Sequence, residues 1–233
     1  MADGLMPDTL APARVPREKR HRDPAGTRRA ILDAAQGEFS DKGLSGARVD
    51  AIARRTGTNV RMIYYYFGSK DGLYRAVLAQ SYADVREAEQ ALDLDALPPG
   101  EAVAALCRFM FDYHAGHPHF SRLVSIENIH RAEHLRQCDG IELLNQPILA
   151  ALDRILRRGR AENLFRTDAG ALDVHLLMTS FCFFRVANRY TLQAAFGTDP
   201  LQPATANAQR RMLVAAVQGF LRPPEDATEA AEP

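Results

Sequence analysis

The chain has 233 residues, carries equal numbers of basic and acidic side chains (29 each) and is 46% hydrophobic, which excludes a collagenous, wholly disordered or disulfide-scaffold protein. No apolar run reaches the roughly 18 residues of a membrane span, and the first twenty residues hold no apolar block of the kind a secretory leader needs. Cys107, Cys138 and Cys182 are odd in number and far apart, so no zinc spacing or disulfide framework is expected, and a reducing cytoplasm fits them best.

The zero net charge hides an asymmetry. Residues 11–80 hold 14 Lys and Arg against 7 Asp and Glu, whereas residues 81–233 hold 15 against 20. A basic front on an acidic remainder points to an anionic partner for the front alone.

Residues 1–24 are rich in Pro, Ala and Arg without periodicity and read as a disordered basic arm. Such an arm either solubilises the chain or tracks phosphates and enters a minor groove. From Thr27 the pattern is helical. Ile31, Ala35 and Phe39 recur every four residues, Leu32 widens the stripe, and Gly43 stops the first helix. A second helix starts near Val49 and ends at Gly57, and a third runs from about Asn59 to Phe67. After Gly68, Ser69 caps a fourth that reaches about Leu94, with Asp71 in its first turn. Pro98-Pro99-Gly100 resets the chain. Further helices are expected over 101–115, 118–131, 141–160, 169–192 and 205–221, with 131–140 a charged connector and a disordered tail from Pro223. No strand and no internal repeat is evident.

Residues 48–67 have the make-up of a helix-turn-helix. Ala53 is small where two helices cross, Gly57 permits the sharp turn, and Ile63 plugs the shared core. Asn59 caps the second of these helices, whose first turn can meet base edges and phosphates in a major groove. The run Tyr64-Tyr65-Tyr66-Phe67 cannot all be core, because a helix this short has one buried face. Ile63 and Phe67 are expected inside with Val60 alongside, Tyr65 under the first helix, and Tyr64 and Tyr66 outside, offering hydroxyls to phosphate or ring edges to thymine.

The segments "ILDAAQGEFSDKG" (31–43), "VDAIARRTGTN" (49–59) and "IYYYFGSKDGLY" (63–74) resemble the DNA-binding domain of the tetracycline-repressor-like (TetR) family of bacterial regulators. The resemblance covers about 48 residues, 27–74. It implies an all-α fold: a three-helix DNA-binding domain with a helix-turn-helix over 25–85, and a larger helical ligand-binding and dimerisation domain over 86–222. It implies that Tyr64, Tyr66 and Lys70 touch DNA, and that Asn59, Val60 and Arg61 occupy the variable front of the recognition helix. Two positions depart from the pattern. Arg48 stands where the family has a capping Ser or Thr, though its charge can still meet phosphate. Met62 stands where a Thr or Ser reaches a phosphate, a contact methionine cannot make. A bidentate guanine contact and a plain phosphate clamp are both open to Arg61.

In the acidic half, "DVHLLMTSFCFFRVANRYTL" (173–192) is apolar on more than one face and is expected to be buried on several sides. "RRMLVAAVQGFL" (210–221) is amphipathic. The resemblance implies that two such helices pair with their symmetry mates in a homodimer. "HPHFSRLVSIENIHRAEHL" (117–135) more loosely resembles a subgroup that includes pyrimidine-responsive regulators, which names no ligand for this chain. This looser resemblance implies a cavity lined by Phe111, His114, Leu123, Glu127, His130, Phe181 and Arg185, against ordinary helix packing or surface for each. Glu127 and Arg185 stand out because charges inside apolar helices need a partner.

His130 and His134 lie four apart with Glu127 a turn earlier, a zinc-like set that lacks a protease motif; lining of an organic-ligand pocket or exposed surface is the simpler reading, and neither a metal nor another cofactor is expected. No nucleophile–base pair or phosphate loop suggests an enzyme. The expected partners are a near-palindromic DNA duplex, a small-molecule effector and a second copy of the chain, with no membrane, at the nucleoid of the cytoplasm. Two other classes stay open: a non-specific architectural DNA binder and a metal-dependent enzyme built on the histidines.

Overall fold

The computed structural model describes residues 23–224, and among them the fold is wholly helical. The expected arm to residue 22 and the tail from 225 lie outside the described residues. The helices are α1 (Pro24–Gly46), α2 (Val49–Thr56), α3 (Val60–Phe67), α4 (Lys70–Gln90), α5 (Pro99–Gly116), α6 (Pro118–Ile129), α7 (Ile141–Ala161), α8 (Ala171–Ala187), α9 (Arg189–Phe196) and α10 (Pro203–Leu221).

Local chemistry sets most of these boundaries. α1 begins earlier than Thr27 because Asp23 caps it, accepting from the Ala25 amide, with Pro24 at the first helical position. Gly43 breaks its regular path with φ +67°, as its sequence position leads one to expect. Gly57 ends α2 in the left-handed region at φ +63°, which a β-carbon would penalise. Ser69 caps α4 by accepting from the Gly72 amide. The fourth helix stops at Gln90, short of Leu94. The chain turns at Asp93 (φ 44°) into a 3-10 turn over Leu94–Ala96.

The expected helix over 169–192 is two helices. The break falls at Asn188, whose backbone N–H and side-chain amide both donate to the Phe184 carbonyl at the end of α8. The connector after α6 contains left-handed Arg131 and Ala132, both at φ 56°, before a 3-10 turn at Leu135–Gln137.

Two apolar cores form. The first joins α1 to α4 through Ile31, Phe39, Ile52, Ile63, Leu73 and Val77, and also takes in Leu123 from α6. The second joins α5, α7, α8 and α10 through Leu106, Met110, Leu152, Ile155, Met178 and Val217. α6 is pinned to the first core's outer helix: Ser40 Oγ lies 2.8 Å from His119 Nδ1, and Arg122 pairs with Asp41 at 2.5 Å. Arg29 of α1 grips Asp84 of α4 with two hydrogen bonds of 3.1 Å.

Arg48 gives α2 no side-chain cap. Instead the buried Glu38 carboxylate reaches across from α1, accepting from the Arg48 amide at 3.1 Å and from Lys42 Nζ at 2.7 Å. Burial pushes this carboxyl up, but the Lys42 and Arg48 hydrogen bonds outweigh burial and hold it below its ordinary 4.5. A depressed folded value means stability that is present above pH 4.5 and lost as pH falls through the folded value. Glu38→Ala is expected to cost about 1–2 kcal/mol at pH 7 by urea unfolding, and to flatten part of the stability loss below pH 4.5. A cost under about 0.5 kcal/mol, the level of a neutral surface change, would refute the substitute-cap role.

Candidate functional site

Two places in the fold can do work: the outer face around α3 and a cavity beside α4. On α3, Asn59 Oδ1 accepts from the Met62 amide at 2.9 Å, so its side chain is committed to the cap. At about 100° per residue, Val60, Tyr66 and Phe67 fall within roughly 60° of Ile63, whereas Tyr65 lies nearly opposite. The structure follows this rule. Ile63 is fully buried; Val60, Tyr66 and Phe67 are half-buried against the first core; Arg61 and Tyr64 are exposed.

Tyr65 corrects the sequence reading: it is 78% exposed and stands outside, not under α1. Tyr66 is less free than expected, since its ring packs on the core and against Phe67 at 6.2 Å. Arg28 of α1 sits over the Phe67 ring at 5.2 Å.

The other two expected basic contacts are already engaged. Lys70 Nζ donates to the Ser45 carbonyl at 3.2 Å. Arg48 makes a two-point pair with Asp50, at 3.1 and 3.2 Å. Both pairings are at exposed or half-exposed positions, where a phosphate can compete with them. Beside α3 a cleft of about 350 Å³ is lined by Thr27, Thr56, Thr58, Asn59, Met62 and Tyr66. Thr27 and Thr58 were not singled out from the sequence. Only the packing of the α1 start beside the α2–α3 turn brings them to this face.

The second place is a cavity of about 180 Å³ among α4, α5, α6, α7 and α8. Its polar groups are Arg86 and Glu89 of α4, Tyr113 and His114 of α5, Asn145 of α7, and His175 and Thr179 of α8. Tyr82, Phe109, Phe120 and Phe183 supply aromatic walls. His114 is buried and its Nδ1 lies 3.1 Å from Ser121 Oγ. Burial pushes His114 and His175 each down to about 4, so both are neutral at pH 7.

Of the seven residues expected to line a cavity, only His114 does so. Phe111 and Phe181 stack at 6.4 Å in and against the second core. Arg185 is buried with its guanidinium over the Phe111 ring at 3.8 Å. Leu123 belongs to the first core.

Glu127 is buried but accepts from the His134 and Leu135 amides at 3.2 and 3.0 Å, closing the connector after α6. His130 is exposed, because α6 ends at Ile129 and the left-handed residues turn the chain away. The pair His130 and His134 therefore shares no helix face. Among the described residues, no group of three or more His, Cys, Asp or Glu side chains is placed to hold a metal ion.

The charged pair that does face the cavity is Arg86–Glu89, 8% and 5% exposed, with Nη1 and Oε2 2.7 Å apart. Its sequence signal was weak, since Arg and Glu three apart on an amphipathic helix usually mark a solvated face.

α8 is buried on one side only. Leu172, Leu176 and Phe184 lie exposed along its other side, and Met212 and Phe220 of α10 are exposed as well. Among the described residues no helix is long and apolar enough to cross a membrane.

Removing the Asn59 cap tests how far the exposed face depends on local order. Asn59→Ala is expected to cost about 1 kcal/mol in unfolding free energy, whereas Tyr65→Ala is expected to stay within about 0.5 kcal/mol. Chemical denaturation of both variants checks the contrast.

Comparison with known proteins agrees with these features. Residues 31–77 match the family described as bacterial regulatory proteins, tetR family, and residues 99–217 match the tetracyclin repressor-like C-terminal domain. The transcriptional repressor NicS of Pseudomonas putida is 38% identical over 173 residues, covering 74% of this chain and 82% of that protein. The solved structure of SCO4942 from Streptomyces coelicolor is 28% identical with a TM-score of 0.64, covering 85% of this chain and 99% of that one. At 20% identity, FadR from Bacillus subtilis in complex with stearoyl-CoA shares the fold with a TM-score of 0.61, covering 80% of this chain and 97% of that chain. With a helix-turn-helix at residues 49–67 and both halves matched, the chain belongs to the TetR family of transcriptional regulators.

Proposed function

We propose that this protein is a homodimeric repressor that holds a near-palindromic operator and releases it when a small molecule enters the cavity beside α4. The observation that carries the reading is the continuity of α4. Its first half packs in the core that seats α3, and its second half supplies Tyr82, Val85, Arg86 and Glu89 to the cavity wall. A ligand that displaces this wall acts on the helix against which the recognition helix rests. To switch the equilibrium it must bind the DNA-free form more tightly, and the ratio of the two affinities sets the response.

The exposed apolar side of α8, with Met212 and Phe220 of α10, supports a pairing face between two copies. Two copies related by a twofold axis require half-sites about one DNA turn, or a small multiple, apart. The residues proposed to meet DNA are Arg48, Asn59, Val60, Arg61, Tyr64, Tyr66 and Lys70. Arg61 and Tyr64 have free outward faces; Arg48 and Lys70 exchange their present partners for phosphate. The proposed domain division is a head over 25–85 and an effector and pairing domain over 86–222; the two cores support it, although the first also takes in Leu123 and Cys138. Work on DNA at the nucleoid of the cytoplasm is part of this proposal, and membership of the TetR family supports it; no catalytic role is proposed.

A non-specific architectural role has less support, since it leaves the cavity and the α8 face without use. Selection of bound duplexes from random DNA separates the two: a palindromic motif is expected, and its absence favours the architectural role. In binding titrations, Lys70→Ala is expected to weaken all duplexes alike and to lower the salt slope by about one. Arg61→Ala is expected to cost about 1–3 kcal/mol and to relax the base preference at one position of each half-site. An unchanged preference assigns Arg61 to phosphate.

A further inference from the structure

Resting on the effector reading above, we infer that the cavity beside α4 takes a small, single-ring carboxylate, whose anionic group displaces Glu89 as the partner of Arg86. Size sets the first limit. A cavity of about 180 Å³ is close to the roughly 150 Å³ that holds a benzene-sized guest. A ring with one or two small substituents fills it, and a long acyl chain does not enter. The walls from Tyr82, Phe109, Phe120 and Phe183 suit a flat ring.

Charge sets the second limit. Arg86 is buried, yet among the described residues its Nε and Nη1 have no hydrogen-bond partner, and neither has either Glu89 oxygen. The two groups touch at 2.7 Å as an ion pair without hydrogen-bond geometry. Both residues line the cavity, so a fork-shaped cation with unmet donors stands in its wall, where the exchange of Glu89 for a ligand carboxylate would meet them. The two partners differ in what they can give up. A guanidinium keeps its proton, whereas a buried carboxylate can take one. An entering carboxylate is therefore accommodated by protonating Glu89, while an entering cation meets an Arg86 that cannot be neutralised.

Burial raises the Glu89 carboxyl to about 7 even with Arg86 beside it, so that protonation costs little near neutral pH. The other groups facing the pair are Tyr82 of α4, Tyr113 and His114 of α5, and His175 of α8, together with neutral Asn145 of α7. The tyrosines are raised and the histidines lowered to about 4, so Glu89 is the group that titrates between pH 6 and about 9. Carboxylate binding then takes up one proton, and affinity falls with rising pH above about 7.

The test uses calorimetry on the full chain with three probes of one shape: benzoate, benzamide and benzylammonium. Benzoate is expected to bind at least about tenfold more tightly than the other two, and Arg86→Gln to erase the preference. Benzoate affinity is expected to fall by up to about tenfold per pH unit above 7. Glu89→Gln, which leaves Arg86 in place, is expected to bind benzoate with no such slope. Thr179→Leu fills the cavity from α8 and is expected to abolish binding of every probe.

If benzamide or benzylammonium binds as tightly as benzoate and Thr179→Leu blocks it, the carboxylate assignment is overturned while the cavity remains the effector site. If no probe binds, the ring-carboxylate inference falls while the effector reading stands; if binding survives Thr179→Leu, the probes sit elsewhere and the cavity loses its support as the effector site along with this inference. A pH slope that persists in Glu89→Gln overturns the exchange of partners even if benzoate is preferred.

Discussion

One rigid rod shared by two cores is the constraint on which this fold depends. α4 spans 21 residues, about 30 Å at 1.5 Å per residue, and it buries different residues at its two ends. Leu73, Tyr74, Val77 and Leu78 complete the core of the helix-turn-helix head, while Val85, Arg86 and Glu89 face the larger helical half. The rod is anchored from the side by the Arg29–Asp84 pair and at its start by the close approach of Gly72 to the Phe67 carbonyl. A β-carbon at Gly72 would lie 2.1 Å from that oxygen, so glycine is what lets α3 and α4 meet at this angle. The recognition helix thus has little freedom to move apart from α4.

Packing in the second half separates buried charges of two kinds. Glu127 and Arg185 are both deeply buried, yet each has a structural employer. Glu127 gathers two backbone amides of the connector, and Arg185 lies on the Phe111 ring. Among the described residues, Arg86 and Glu89 have each other as their one charged partner. A buried ion pair contributes little to stability and is sensitive to loss of either member. Its presence at a cavity wall, on the rod that reaches the head, is better explained by chemistry done there than by the fold's own needs.

The head was legible in the sequence because its signals are local. Gly57, Asn59, Ser69 and the spacing of Ala53 and Ile63 each state a turn, a cap or a crossing within a few residues. Even there the tyrosine run was read less well: the 100° rule puts Tyr65 outside and Tyr66 on the core side, and the expectation reversed their weight. The cavity was not legible, because it is made by five helices whose relative rotation no local pattern encodes. His130 looked like a lining residue on the assumption that α6 continued, and two left-handed residues end it. Arg86 and Glu89 carry no signal in the sequence, since nothing in α4 itself says that α5, α7 and α8 cover that side. The break at Asn188 escapes a reading by composition because apolar content runs through it from α8 into α9.

The apolar side of α8 is interrupted near its middle, beyond the exposed Asp173 of its first turn. Between Leu176 and Phe184 stands Ser180, exposed, with its hydroxyl already spent on the Leu177 carbonyl. It therefore asks nothing polar of whatever lies across from it and adds almost no bulk. Interaxial distance between packed helices is set by the side chains at the crossing, about 8 Å where they are small and nearer 10 Å where they are large. This spot is a saddle along an otherwise high ridge, and a helix crossing α8 settles most deeply there, which fixes its register without any directional bond.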